Sequence, residues 1–195
     1  MTEEVIGKLS AKLRKYICTL KKASMDTEND TPMCESLIKV VNFDKIPNEY
    51  SRGKGWDGVP KSNDALYLDV QGKWYFIEFK NGTIQKGDLY RKLYDSLIML
   101  LEWRIIPDLD FVRKNIHYIL VYNGSNYGKI QQSQARDKNY GYVWERAEQE
   151  ERLFDIDKFE NYLFHETHTY TKSLFEKNFV QPKEKEEEKW QLYRK

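Results

Sequence analysis

The chain has 195 residues, 40% hydrophobic and 14% aromatic, with 32 basic and 31 acidic side chains and a formal net charge of +1. That length and apolar content suit one folded domain with its own core and exclude a disordered chain. Near-neutral charge excludes a uniformly basic nucleic-acid coat, so any nucleic-acid surface must come from local segregation of charge.

From about Glu3 to Lys22, Ile6, Leu9, Leu13, Tyr16, Ile17 and Leu20 recur at helical spacing, which predicts an amphipathic helix packed on the domain, over residues 1–24. Lys8, Lys12, Arg14 and Lys15 interrupt it, unlike the apolar core of a signal peptide. No apolar run reaches membrane-span length, so the expected location is the cytoplasm, with no membrane partner. Thr31-Pro32 reads as an N-cap followed by proline at the first helical position, opening a helix to about Val41. Cys18 and Cys34 fall in these helical stretches and are expected as reduced thiols rather than a disulfide.

The stretch from Asn42 to Asp64 is rich in Gly, Pro, Asn and Asp and reads as an irregular connection holding at most one short strand. Two strands joined by a tight turn follow, from Asn63 to Gly82. A helix is then predicted from about Asp88 to Trp103, with Leu89, Leu93, Leu97 and Leu101 at every fourth position. "NIHYILVYNG" is apolar on both faces apart from His117, the pattern of a central strand covered on both sides. "YGYVWERA" reads as a short strand, and Leu153 to Phe179 as one or two aromatic-rich helices. A charged tail, 181–195, is expected as a solvated helix or a frayed end. The whole is an α/β or α+β domain over 31–180, a mixed central sheet flanked by helices.

Strand faces alternate, so Glu78 and Lys80 project from the same side. A loop of Val70-Gln71-Gly72, with glycine at its left-handed position, closes Asp69 against Lys73. Counting back sets Asp64 directly across from Glu78. One face then carries Leu66, Leu68, Trp74 and Phe76, with Asp64, Glu78 and Lys80 at its open end. A loop one residue shorter would send Asp64 to the opposite face. Two carboxylates beside a core repel, and a hard divalent cation such as Mg²⁺ resolves that conflict with oxygen ligands. A metal, a water and the Lys80 ammonium on one wall are what phosphodiester hydrolysis needs.

Asp64, thirteen intervening residues, then Glu78-Phe79-Lys80 resembles the PD-(D/E)xK nuclease superfamily, with its restriction-endonuclease-like fold, over roughly residues 32–123. The resemblance implies a metal-dependent endonuclease acting on DNA, with Mg²⁺, or Mn²⁺ in its place, as cofactor. It implies Asp64 and Glu78 as metal ligands, the Phe79 carbonyl as a third, and Lys80 as the residue that positions or activates water. Asn63 stands where the name-giving proline would be. The superfamily often adds an acid from the first core helix, for which Glu35 is the candidate, with Asp57 as a second.

Lys92 and Ser96 lie one turn apart on the helix after the motif, and Lys92 is a candidate for the site or for phosphate. Arg52, Lys54 and Lys61, interleaved with Tyr50 and Trp56, are candidates for a nucleic-acid approach, against the simpler reading of soluble loop residues. "HETH", His165 to His168, misses zinc-protease spacing by one residue and lacks further ligands, and His117 reads as a satisfied core histidine. A second reading stays open: a catalytically silent module of this fold that binds nucleic acid or a protein partner, or forms a homodimer, since the 14 tyrosines suit interfaces.

Overall fold

A computed structural model describes residues 1–124 and 150–193. Its centre is a six-stranded mixed sheet. The strands are β1 (Ile17–Thr19), β4 (Lys39–Asn42), β5 (Ala65–Leu68), β6 (Trp74–Lys80), β7 (Ile116–Tyr122) and β8 (Glu166–Thr171), in that spatial order. The first three neighbouring pairs are antiparallel, and β6–β7 and β7–β8 are parallel. Two short strands, β2 (Met25–Asp26) and β3 (Thr31–Pro32), form a separate ribbon. The chain is thus α+β, a mixed sheet flanked by helices, as the sequence predicts.

The hairpin register is the expected one. Ala65 pairs with Ile77 and Leu68 with Trp74, so Asp64 falls opposite Glu78. Gly72 takes a φ of 87°, a left-handed conformation that only glycine adopts freely, and Asp69 N–H donates to Lys73 O at 2.9 Å. β7 is buried along its whole length, and helix α5 (Lys86–Glu102) buries Leu89, Leu93 and Leu97. It packs on the sheet face that carries Leu66, Phe76 and Glu78. The opposite face carries Tyr67, Tyr75 and Phe79, closed by Phe175 and Phe179.

Several expectations fail in the outer parts of the sheet. The predicted N-terminal helix is instead α1 (Glu3–Lys8), α2 (Ala11–Arg14), β1 and α3 (Leu20–Ala23). Ser10 caps a new helix by accepting from Leu13 N–H, and Ile17, Cys18 and Thr19 pair with β4. The segment therefore adds an edge strand to the sheet. The helix expected from Thr31 to Val41 is also absent. Thr31–Pro32 is strand β3, and the β-branched Val40 and Val41 build β4. Neither Cys18 nor Cys34 is helical, and both are free thiols.

The connection after β4 holds α4 (Ile46–Lys54), with Pro47 in its first turn and Gly55 as a left-handed cap. A helix α6 (Leu109–Asn115) precedes β7. Residues 153–179, expected as helices, contain β8, whose Thr167, Thr169, Tyr170 and Thr171 favour a strand. They then run through α7 (Lys172–Phe175) and a π-helical turn (Glu176–Val180). The charged end is α8 (Gln181–Leu192). It is docked rather than solvated: Glu187 accepts from Tyr67 OH at 2.8 Å and Lys183 donates to Asp69 at 2.7 Å. The short strand expected at "YGYVWERA" lies outside the described residues.

Candidate active site

Asp64 ends the approach to β5 and Glu78 lies two residues from the end of β6, so the register brings both acids to the open end of the hairpin. Glu78 is fully buried, its side chain 0% exposed. Phe79 N–H donates to Asp64 Oδ2 at 2.6 Å, which tethers the Asp64 carboxylate to the backbone of the Glu-x-Lys strand. In a strand the C=O of a residue leaves on the same edge as its N–H, so the Phe79 carbonyl faces the same space. Lys80, on the Glu78 face by alternation, places Nζ 3.1 Å from Glu78 Oε1 and is 27% exposed.

Lys92 reaches down from α5 and touches both acids, with Nζ 2.6 Å from Glu78 Oε1 and 3.3 Å from Asp64 Oδ1. One turn further, Ser96 Oγ accepts from Asn63 N–H at 3.0 Å. The two positions that the sequence placed together on this helix thus both serve the site, one binding carboxylate and the other anchoring the strand entry.

The electrostatics follow from burial. Burial, then the neighbouring Glu78 carboxylate, pushes Asp64 well above the usual carboxylate range. Burial also raises Glu78, against the pull of Lys92 and Lys80. Burial opposes charge on Lys92, but Asp64 and Glu78 outweigh it and hold the ammonium charged. Among the described residues, four buried polar atoms nearby lack a hydrogen-bond partner: Glu78 Oε2, Tyr118 Oη and both side-chain amide atoms of Asn63. Tyr118, on β7, lies in the fields of Glu78 and Asp64.

A third acid comes from a position the sequence reading missed. Phe43 N–H donates to Asp64 O at 2.9 Å, continuing the β4–β5 register past Asn42. This brings Asp44 alongside, where Ser62 Oγ donates to it at 3.1 Å and its charge reaches Asp64 and Lys92. The signal was present in "VVNFD": two β-branched residues argue for a strand, and an acid just past its end shares the end that Asp64 occupies. A groove of about 640 Å³ opens here, lined in part by Asp26, Glu28, Asp44, Asp64, Lys80 and Asn81.

Other candidates are placed elsewhere. Glu35 is not on a helix. It precedes β4, its side chain is 72% exposed, and it pairs with Lys21 at 2.6 Å. Because β4 runs from that end toward Asp44, Glu35 lies at the opposite end of β4 from the acids. Asp57 is exposed in the loop after α4 and is not among the groove residues. Lys54 pairs with Glu102 and covers the Tyr50 ring. Glu102 is ten residues along α5 from Lys92, about 15 Å at helical rise. Arg52, exposed on α4, lies in the neighbourhood of Tyr16 and Glu49 toward the β1 edge. Lys61 N–H donates to Asp95 at 2.9 Å. Of these four basic candidates, Lys92 is the one that touches the acids.

The "HETH" histidines lie on and just before β8, not on a helix. His117 is only half satisfied: Nδ1 meets Glu166 at 3.2 Å while Nε2 is buried without a partner.

Among the described residues no three or more His, Cys, Asp and Glu side chains are placed together to hold a metal ion. The donors at the open end nevertheless suit a hard divalent cation: two adjacent carboxylates, one with a partnerless buried oxygen, beside a strand carbonyl. Comparisons with protein-family models, curated proteins and solved structures return no significant match. No described helix is long and apolar enough to cross a membrane.

Proposed function

We propose that the protein is a metal-dependent nuclease that hydrolyses phosphodiester bonds in DNA, of the PD-(D/E)xK type its motif resembles. The observation that carries this reading is the convergence of Asp64, Glu78 and Lys80 at the hairpin's open end, where Asp64 and Lys80 line a groove and Glu78 lies buried behind them, with the Phe79 backbone between them. Asp64 and Glu78 would hold Mg²⁺, with the Phe79 carbonyl completing the protein's share. When bound, that cation supplies charge neutralisation at the phosphate and a more acidic water.

Each residue's part follows from its position. The Phe79 N–H fixes the Asp64 carboxylate through Oδ2, so Oδ1, which meets Lys92, keeps one orientation. Lys80, at the groove wall, is placed to orient a water or to meet charge developing on phosphate. Asp44 adds negative charge at the mouth. A groove so acidic repels a bare phosphodiester backbone, which supports a requirement for cations.

A second reading, a catalytically silent module, is favoured by one observation: Lys92 and Lys80 already neutralise the two acids within the fold. The two readings separate on incubation of plasmid and linear DNA with the protein, in Mg²⁺ or Mn²⁺ and in chelator. Cleavage that needs the cation, disappears in Glu78→Ala and falls a hundredfold or more, on the order expected for losing a general-base or water-positioning group, in Lys80→Ala supports the nuclease. Cleavage that persists in both variants removes the mechanism, and no cleavage under any condition leaves the silent module.

A further inference from the structure

The geometry points to Lys92 as an internal counter-cation: its ammonium stands between the two acids in the metal-free protein and is exchanged for the divalent cation. This rests on the metal-binding reading of Asp64 and Glu78, and it assigns to Lys92 a role outside the Asp…Glu-x-Lys motif.

Three observations carry it. The Lys92 ammonium is the group that bridges the acids, 2.6 Å from Glu78 Oε1 and 3.3 Å from Asp64 Oδ1, whereas Lys80 meets Glu78. Lys92 and Lys80 both crowd onto Oε1 of Glu78, while Oε2 is buried with no partner. That is an uneven use of one carboxylate, and two like charges on one oxygen repel each other. Finally, Lys80 lines the groove while Lys92 is more deeply set, 16% exposed, on a helix anchored one turn away through Ser96.

Charge balance then demands exchange. The acids Asp64 and Glu78 are already matched by two ammoniums, and Asp44 is exposed at the rim. Adding a divalent cation with Lys92 in place would leave two uncompensated positive charges among these buried groups, and withdrawing Lys92 removes one of them. The helix need not move, because the flexible four-carbon stem of lysine lets the ammonium leave alone. The withdrawn ammonium is then available to the phosphate.

Two measurements test this on the full chain. In the first, Mn²⁺ binding to wild type and to Lys92→Met is followed by titration calorimetry without DNA. Removing a positive charge adjacent to the acids should tighten Mn²⁺ binding by about tenfold or more. In the second, surface-lysine acetylation of the wild type is mapped by mass spectrometry with and without Mn²⁺, and labelling of Lys92 should rise severalfold when Mn²⁺ is present. Equal Mn²⁺ affinity in the two proteins, or Lys92 labelling that ignores bound Mn²⁺, overturns the exchange and leaves the metal site standing. Absence of Mn²⁺ binding in both proteins overturns the metal site itself, and the exchange falls with it. The labelling arm needs no variant, so it decides the matter even if Lys92→Met does not fold.

Discussion

At its turn the β5–β6 hairpin buries Asp69, and at its open end it buries Glu78 beside Asp64. Asp69 is used completely. Gln71 N–H and Lys73 N–H donate to Oδ1 at 3.0 and 2.8 Å, while Lys183 and Tyr75 OH donate to Oδ2 at 2.7 and 3.3 Å. At the other end two acids compete for two ammoniums, both ammoniums contact one oxygen of Glu78, and the other oxygen has nothing. One ladder thus carries a carboxylate whose oxygens are all met and a pair in which one buried oxygen is not. A buried group with every lone pair met stabilises the fold, and one left unmet weakens it unless it has other work.

The sharpest test of that contrast is a pair of substitutions. Asp69→Ala leaves Lys183 with Glu186 as its remaining carboxylate partner and frees two turn N–H groups and the Tyr75 hydroxyl, so it should lower unfolding free energy by about 3 kcal/mol. Glu78→Gln removes repulsion with Asp64 while Lys92 keeps a carboxylate partner, so it should stay within about 1 kcal/mol of wild type. Urea midpoints of the two variants decide it. Equal losses would make the open end as structural as the turn.

His117, buried on the same sheet, gives a pH-dependent effect of intermediate size. Burial lowers its pKa to about 4 from an ordinary 6.5, with Glu166 opposing and His165, Lys73 and His168 adding to the drop. The unfolded chain therefore takes the proton first on acidification. The stability this neutral imidazole confers is present above 6.5 and is lost as pH falls through about 4, up to about 3 kcal/mol. His117→Phe keeps a ring against Tyr75, which stacks on His117 at 4.7 Å, and should flatten the acid limb of a midpoint-versus-pH curve. An unchanged limb would place the acid sensitivity on other groups. The smallest effect belongs to Lys54→Ala. Its exposed pairing with Glu102, remote from the acids, should leave both the unfolding midpoint and any DNA cleavage unchanged, unlike Lys80→Ala.

The centre of the molecule was legible because its signals are local. Alternation along Trp74–Lys80 and the length of the Val70–Gly72 loop set which side chains share a face, and the leucine spacing of α5 set which side of that helix is buried. The outer strands were not legible. Ile17–Thr19 and Lys39–Asn42 are three and four residues long, too short for period two to stand out from period 3.6. Their identity as strands comes from partners far away in the chain. As a helix, residues 31–41 would offer Glu35 to the site; as the strand β4, the segment delivers Asp44 instead.

What the sequence determined by itself was therefore the Asp64–Glu78–Lys80 face of the hairpin, because strand alternation and turn length are properties of neighbouring residues. Tertiary structure decided the rest: that α5 lays Lys92 across both acids, that β4 delivers Asp44 to the same end, and that α8 seals Asp69 at the other. Those contacts join segments separated by 14 residues in the case of Lys92 and Glu78, and by 114 in the case of Lys183 and Asp69. No local pattern encodes such meetings, since they depend on how the packed layers bring distant surfaces together.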